Sequence, residues 1–330
     1  MYHIYSNSHQ VINAAHDFIT KIHSKRINYI YLYSKTISLR ILLPPMELTH
    51  PNLGIVAPGG GLRGAFVCGA LEALIDQYNL TAPKAVLGCS GSAAPFAYYA
   101  ANQSEVGYEA YKYLCLNKLI DLKRIFTNNK IKFSNLFNFT LLRQTFAQEY
   151  PINIQNIIQN PTTLHIALTE YETGKPIYLS NWTNAPLVDA LLASKSIPVV
   201  NDGKIKVNDT YFTDGELACP LDKNIAYLKS LGIQKILVLD CGSKLTFARR
   251  LLLKVHSHRD RIPRLLGNTI REYCDSTLQF YDEPDVFYIN PMKPLPAGTF
   301  STSWDKVRST MDIGSDSIIC NPYLKEFLNK

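Results

Sequence analysis

Residues 86–101 read VLGCSGSAAPFAYYAA. A short apolar run meets Gly88-Cys89-Ser90-Gly91-Ser92, and small and aromatic residues with helical character follow. A serine in that setting sits on a sharp strand-to-helix turn, which is how a nucleophilic hydroxyl is held out beyond the end of a parallel strand. Gly88 lies where strand and helix nearly touch, so it must stay small. Ser92 stands where the second glycine of G-x-S-x-G would be, and serine is the next smallest choice there. Alone, the stretch fits a tight turn as well as it fits a nucleophile.

The neighbouring sequence decides what kind of turn it is. GIVA (54–57) reads as a short buried strand and is followed by GGGLRG (59–64). AFVCGALEALIDQY (65–78) has Phe66, Ala70, Leu74 and Tyr78 spaced by four, with Val67, Leu71 and Ile75 beside them, which predicts a helix with one buried face. AVLG (85–88) is the next strand and APFAYYAANQ (94–103) the next helix. Strand, glycine loop, helix, strand, elbow and helix make a βαβα unit, so a parallel sheet covered on both faces is expected. Downstream, TLHIALTEYETGKPIYLS (163–180) reads as two strands around a Thr-Gly turn, LVDALLAS (187–194) as a helix and GKIKVNDTYFTDGE (203–216) as two short strands. KILVLDCG (235–242) and DVFYINP (285–291) are the last strands, and residues 102–160 look mainly helical.

Composition sets the limits. The chain has 330 residues, 46% hydrophobic and 18% charged, a globular balance with enough apolar side chains for a sizeable core. No run of 18 apolar residues suggests a membrane-spanning helix. The seven cysteines are scattered, odd in number and never spaced C-x-x-C, which points to reduced thiols and to neither a zinc site nor a disulfide framework. The first residues lack the basic start and apolar core of a signal peptide, so a cytoplasmic or peripheral membrane location is expected. Residues 1–45 contain no glycine, end in Pro44-Pro45 and precede Met46; they read as an extension, with Met46 as an alternative start.

The net charge of +7 is uneven. Residues 244–264 carry seven basic side chains against Asp260 alone. Such a surface attracts nucleic acid or anionic lipid headgroups, or is simply a solvated face, the commoner case. Within it, LTFARRLLLKVHSH (245–258) spaces Phe247, Leu251 and Val255 by four among Arg249, Arg250 and Lys254. That pattern suits an interfacial helix. It equally suits a helix packed on the sheet with its basic face wet, the reading preferred here.

Three short motifs carry chemistry. The GGGLRG loop follows a strand and opens a helix, where backbone N–H groups bind anions. A Walker loop would end in G-K-[ST], but Ala65 follows Gly64. Gly59, Gly61 and Gly64 match G-x-G-x-x-G, yet no acidic residue ends the next strand, as a dinucleotide site requires. The remaining use is an oxyanion hole. YFTDGELACP (211–220) places Asp214 in a turn, either merely a turn or a general base for Ser90. A Ser–Asp–His triad would need His256 or His258, which lie in the basic stretch. His165 sits in an apolar strand and reads as a core residue.

Taken in order, GGGLRG (59–64), GCSGS (88–92), ASKSIPVV (193–200) and DGE (214–216) resemble the patatin-like phospholipases, with their G-G-G-x-[KR]-G loop, G-x-S-x-G elbow, ASxAxPxxF-like block and D-G-[GA] turn. The resemblance spans about residues 53–242. It implies a three-layer α/β/α patatin-like fold with a mainly parallel central sheet, over residues 50–295, with 296–330 packed on or following it. It implies a lipid acyl hydrolase with a Ser–Asp dyad: Ser90 the nucleophile and Asp214 its base. Gly59, Gly60 and Gly61 form the oxyanion loop, Arg63 anchors it or faces an anionic headgroup, and Gly88 and Ser92 support the elbow. The implied partners are a lipid or phospholipid substrate and an anionic membrane surface, with no nucleic acid, metal or organic cofactor; oligomeric state is left open.

Three departures accompany the resemblance. Ser92 replaces the closing glycine, which would tilt the helix or narrow the oxyanion hole. Glu216 replaces Gly or Ala, and facing the site it would raise the dyad's apparent pKa by like-charge repulsion. Pro58 stands where plant patatins have Asp. Ser92 and Glu216 keep a second reading open, a catalytically impaired lipid- or partner-binding protein on the same fold.

Overall fold

The computed structural model describes residues 47–121, 126–127, 130–131, 136–180, 182–183, 186–198, 203–242, 247–259, 261–276 and 283–329. The extension 1–45 and its alternative start lie outside these residues.

The sheet begins with β1 (His50–Ala57), whose LGIVA run is buried on both faces, as a central parallel strand must be. The chain crosses through α1 (Ala65–Tyr78) to β2 (Pro83–Gly88), then passes into α2 (Ala93–Ala100) and α3 (Ser104–Leu116). Two shorter helices, α4 (Phe139–Gln144) and α5 (Ile154–Gln159), lead to β3 (Thr163–Glu170) and β4 (Pro176–Leu179). Next come α6 (Leu187–Ala193), β5 (Ile205–Val207), β6 (Thr210–Asp214), α7 (Leu221–Ser230) and β7 (Lys235–Leu239). The chain continues through α8 (Phe247–Ser257), α9 (Arg264–Asp275), β8 (Val286–Ile289), α10 (Trp304–Ile319) and α11 (Leu324–Asn329). Strands β8, β7, β1, β2 and β3 lie side by side and parallel, whereas β4, β6 and β5 join antiparallel at the β3 end. The fold is therefore three-layered α/β/α with a mostly parallel sheet, as expected.

Side-chain alternation sorts the core onto two faces. Ile55, Val86, Leu164, Ile166 and Leu168 point to the larger side, under α1, α2 and α10. Val56, Leu87, Ala167, Ile236 and Val238 point to the other, where α7 lays down Leu221, Ile225 and Leu228. Each such buried aliphatic side chain contributes about 1.5–3 kcal/mol.

The expectation that α1 buries a single face is corrected. Ala65–Leu71 are all buried, because α10 covers the side away from the sheet. The contact is backbone to backbone: a Cβ on Gly314 would lie 2.1 Å from the Phe66 carbonyl oxygen. Sequence periodicity reported the sheet-facing side and had no way to report a partner 240 residues downstream.

On α8, Leu253 turns inward while Leu251, Leu252 and Val255 are exposed. Arg250 and Lys254 are half-buried, the latter paired with Asp275 at 2.5 Å. Among the described residues no helix is long and apolar enough to cross a membrane.

Candidate active site

Ser90 lies at the turn between β2 and α2 with φ of 49°, in the left-handed region. For a residue with a Cβ this conformation costs roughly 1–2 kcal/mol, so the surroundings must hold it. They hold both of its peptide groups. Its N–H donates to Ser194 Oγ at 2.8 Å, and Ser194 Oγ in turn donates to the Ala167 carbonyl at 3.0 Å. Its carbonyl accepts from Lys195 Nζ at 2.7 Å. Turned outward in this way, Ser90 Oγ donates to Asp214 Oδ2 at 2.8 Å, with both residues buried.

The sheet explains how Asp214 comes to be there. β2 pairs with the first half of β3 and ends with Gly88 opposite Ile166. There the chain leaves the sheet at the elbow, and the edge of β3 it vacates is taken by β6, running antiparallel. Leu168, two residues further on, then pairs with Asp214. Ser90 and Asp214 thus succeed each other along one edge of one strand. Thr169 Oγ1 donates to the Asp214 carbonyl at 2.8 Å, and Asp214 N–H donates to the Ser196 carbonyl at 3.0 Å. Its Oδ1 accepts the Glu216 N–H at 3.0 Å, which leaves Oδ2 aimed at Ser90.

The glycine loop packs against the elbow at backbone distance. A Cβ on Gly91 would lie 2.3 Å from the Gly61 carbonyl oxygen, and Gly61 itself has φ of +59°. Leu62 N–H donates to the Thr299 carbonyl at 3.2 Å, tying the loop to the segment before α10. Gly59 is the tightest point: a Cβ there would lie 2.9 Å from Ser90 Cβ and 2.4 Å from Glu216 Oε2. Glu216 therefore does face the site, with its buried carboxylate over Gly59. Arg63 is half-buried, and among the described residues its Nε has no hydrogen-bond partner. Its charge pulls against the rise of the Cys241 thiol, which burial pushes up to about 12.

Ser92 is fully buried and its hydroxyl is engaged by backbone on both sides. Its Oγ accepts the Cys89 N–H at 2.9 Å and lies 3.0 Å from the Ala57 carbonyl and 2.9 Å from that of Cys89. The side chain is a clamp between the end of β1 and the elbow. Cys89 beside it packs beneath the turn, and burial holds its thiol far above the ordinary range, reinforced by the Asp214 and Glu216 charges.

An apolar cavity opens from Ser90, walled by Leu62, Ala94, Tyr98, Tyr111, Leu114, Phe146 and Ile197. Its volume is about 60 Å³, room for roughly four to six waters at about 10–15 Å³ each. That is a slot for a few methylenes unless its walls move. After α4 the helix widens to a π-helix over Thr145–Glu149, and Phe146 in this stretch joins the cavity wall.

A hydroxyl bonded to a buried carboxylate, beside a glycine loop and an apolar slot, can attack an acyl carbonyl as its proton passes to the carboxylate. A model of the patatin-like phospholipase family matches residues 55–224. The chain belongs to the patatin-like phospholipase family. Among solved structures, VipD from Legionella pneumophila is similar, with 12% identity, a TM-score of 0.45, and coverage of 84% of this chain and 67% of that one. A search of curated proteins finds no match.

As a patatin-like phospholipase, the chain brings Ser90, Asp214, Gly59, Gly61, Gly88 and Ser92 into one neighbourhood. Among the described residues no histidine enters it. His165 is buried against Tyr227, and burial lowers its pKa to about 4. His256 and His258 lie on and just after α8. Sequence reasoning missed the holding residues Ser194, Lys195 and Thr169. A signal for two of them was available: Ser-Lys-Ser (194–196) is a polar cluster following the apolar run ALLA (190–193).

Proposed function

We propose that the chain is a serine acyl hydrolase that cleaves lipid carboxylic esters with a Ser90–Asp214 dyad. Ser90 Oγ attacks the acyl carbonyl and its proton passes to Asp214. N–H groups of the Gly59–Gly61 loop receive the oxyanion, and the alcohol leaves with the proton. Water, deprotonated by Asp214, then releases the acid from the acyl-enzyme. The observation that carries this reading is the 2.8 Å hydrogen bond between Ser90 Oγ and Asp214 Oδ2. The test is fatty-acid release from phospholipid–detergent micelles. Ser90→Ala is expected to abolish it, and Asp214→Asn to slow it about 10²–10⁴-fold, the usual scale of general-base catalysis. Undiminished release by Ser90→Ala refutes the assignment.

One observation favours a second reading. The Glu216 carboxylate over Gly59 would oppose an oxyanion in that loop, which suits a lipid- or partner-binding protein that has lost catalysis. A folded wild type that binds lipid but releases no acid establishes that alternative.

The reading includes the domain division 50–295 with 296–330 packed on it, and work in the cytoplasm or at a membrane surface. Leu251, Leu252 and Val255 on α8 and Leu265 on α9 are exposed beside exposed Arg259, Arg261 and Arg264. Exposed apolar side chains close in sequence to exposed arginines suit the interface of an anionic bilayer. α9 also packs against the Gly215–Leu217 turn that follows Asp214. Pelleting with anionic but not zwitterionic liposomes is expected, and Leu251→Ser with Val255→Ser should weaken it. Failure to pellet with either ends the membrane contact.

A further inference from the structure

We infer that Lys195 is a substrate-specificity residue that binds an anionic group a few bonds from the scissile ester, so that the substrate is a glycerophospholipid rather than a neutral glyceride. The inference rests on the acyl hydrolase reading and adds the headgroup chemistry to it.

Lys195 follows α6 and lies half-buried, lining the same cavity as Ser90. Its Nζ donates to the Ser90 carbonyl at 2.7 Å and lies 5.9 Å from the centre of the Phe146 ring. An ammonium has three N–H donors. Among the described residues this one has a single hydrogen-bond acceptor, so two donors remain for water or a ligand. The rest of the cavity wall is chiefly apolar, Tyr98, Leu114 and Ile197 among it.

That arrangement is costly for a neutral lipid. An acyl chain entering the slot expels the water on the ammonium and offers no acceptor in return, and an unpaired buried charge is strongly unfavourable. A substrate carrying its own anion replaces the lost water with a charge-assisted hydrogen bond. The phosphate of a glycerophospholipid is joined to the same glycerol as the ester, so both can be held at once. Asp214 attracts Lys195 and offsets part of its desolvation. Yet Asp214 directs Oδ2 to Ser90 and Oδ1 to the Glu216 amide.

The test compares dioctanoyl phosphatidylcholine with dioctanoylglycerol, each in nonionic detergent micelles. The proteins are wild type, Lys195→Met, Lys195→Gln and Lys195→Arg, with thermal melts to verify folding. The ratio of kcat/KM for phospholipid over glyceride is expected to fall roughly 10- to 100-fold in the two neutral variants, the scale of a hydrogen bond to a charged group. Lys195→Arg should restore part of it. An unchanged ratio, whether both rates fall or neither does, overturns the inference and leaves Lys195 a support for the elbow. Equilibrium binding of the two lipids to Ser90→Ala, with and without Lys195→Met, separates this from the hydrolase reading. A phospholipid preference that depends on Lys195 stands even if no lipid is hydrolysed, and its absence overturns the inference independently of turnover.

Discussion

Ser92→Gly restores the glycine that the family's elbow carries, yet the structure requires it to destabilise this protein. Ser92 Oγ accepts the Cys89 N–H at 2.9 Å and can give its one proton to the Ala57 carbonyl at 3.0 Å or the Cys89 carbonyl at 2.9 Å. Ala57 and Cys89 are fully buried. Removing the hydroxyl strands the Cys89 N–H, at about 1–3 kcal/mol for an unsatisfied buried group, and weakens one carbonyl as well. Glycine adds about 0.5–1 kcal/mol of backbone entropy, for a total of about 2–4 kcal/mol. For a domain of this size, at roughly 2 °C per kcal/mol, the melting temperature should fall by about 4–8 °C. Ser92→Ala keeps the Cβ and should fall short of that by about the glycine term. The assay is thermal and urea unfolding of wild type and both variants. A Ser92→Gly protein as stable as wild type, or more stable, refutes the clamp and makes Ser92 a neutral occupant of a glycine position.

Two further outcomes follow from buried groups. His165 takes its proton only near pH 4 when folded but near the ordinary imidazole value of 6.5 when unfolded, so the unfolded chain holds more protons between those limits. Stability is therefore lost as pH falls from about 6.5 to about 4, by roughly 3 kcal/mol, and His165→Phe should flatten that part of the urea-midpoint profile; an unchanged slope shows that other groups dominate. Gly314→Ala puts a Cβ 2.1 Å from the Phe66 carbonyl oxygen, so α10 must shift at a cost of about 1–3 kcal/mol. Hydrogen exchange should show α10 opening more readily, and wild-type protection there would contradict the close packing.

Much of this architecture is legible in local sequence. β1, α1, β2 and α2 are visible because short apolar runs mark buried parallel strands and apolar residues spaced by four mark helices, and the glycine loop and elbow interrupt them at positions where only small residues fit. Asp214 is visible only as a turn. What gives it a role is the edge of β3 that β2 abandons at Gly88, a pairing between residues 124 positions apart that no local pattern encodes. The same holds for Lys195, whose proximity to Ser90 depends on where α6 ends against the elbow. Ser92 and Glu216 stand out in sequence as departures, but their consequences differ in space. Ser92 finds buried partners that suit a hydroxyl, while Glu216 folds back over Gly59 and confronts the loop with a charge. That difference in surroundings is visible only in the fold.

The most direct test of the dyad is covalent labelling by a fluorophosphonate, read by mass spectrometry of the digested protein in wild type, Ser90→Ala and Asp214→Asn. The account predicts one adduct, on Ser90, that disappears in Ser90→Ala and forms at least about 100-fold more slowly in Asp214→Asn. A folded wild type that never acquires the adduct, or acquires it equally fast without Asp214, contradicts it.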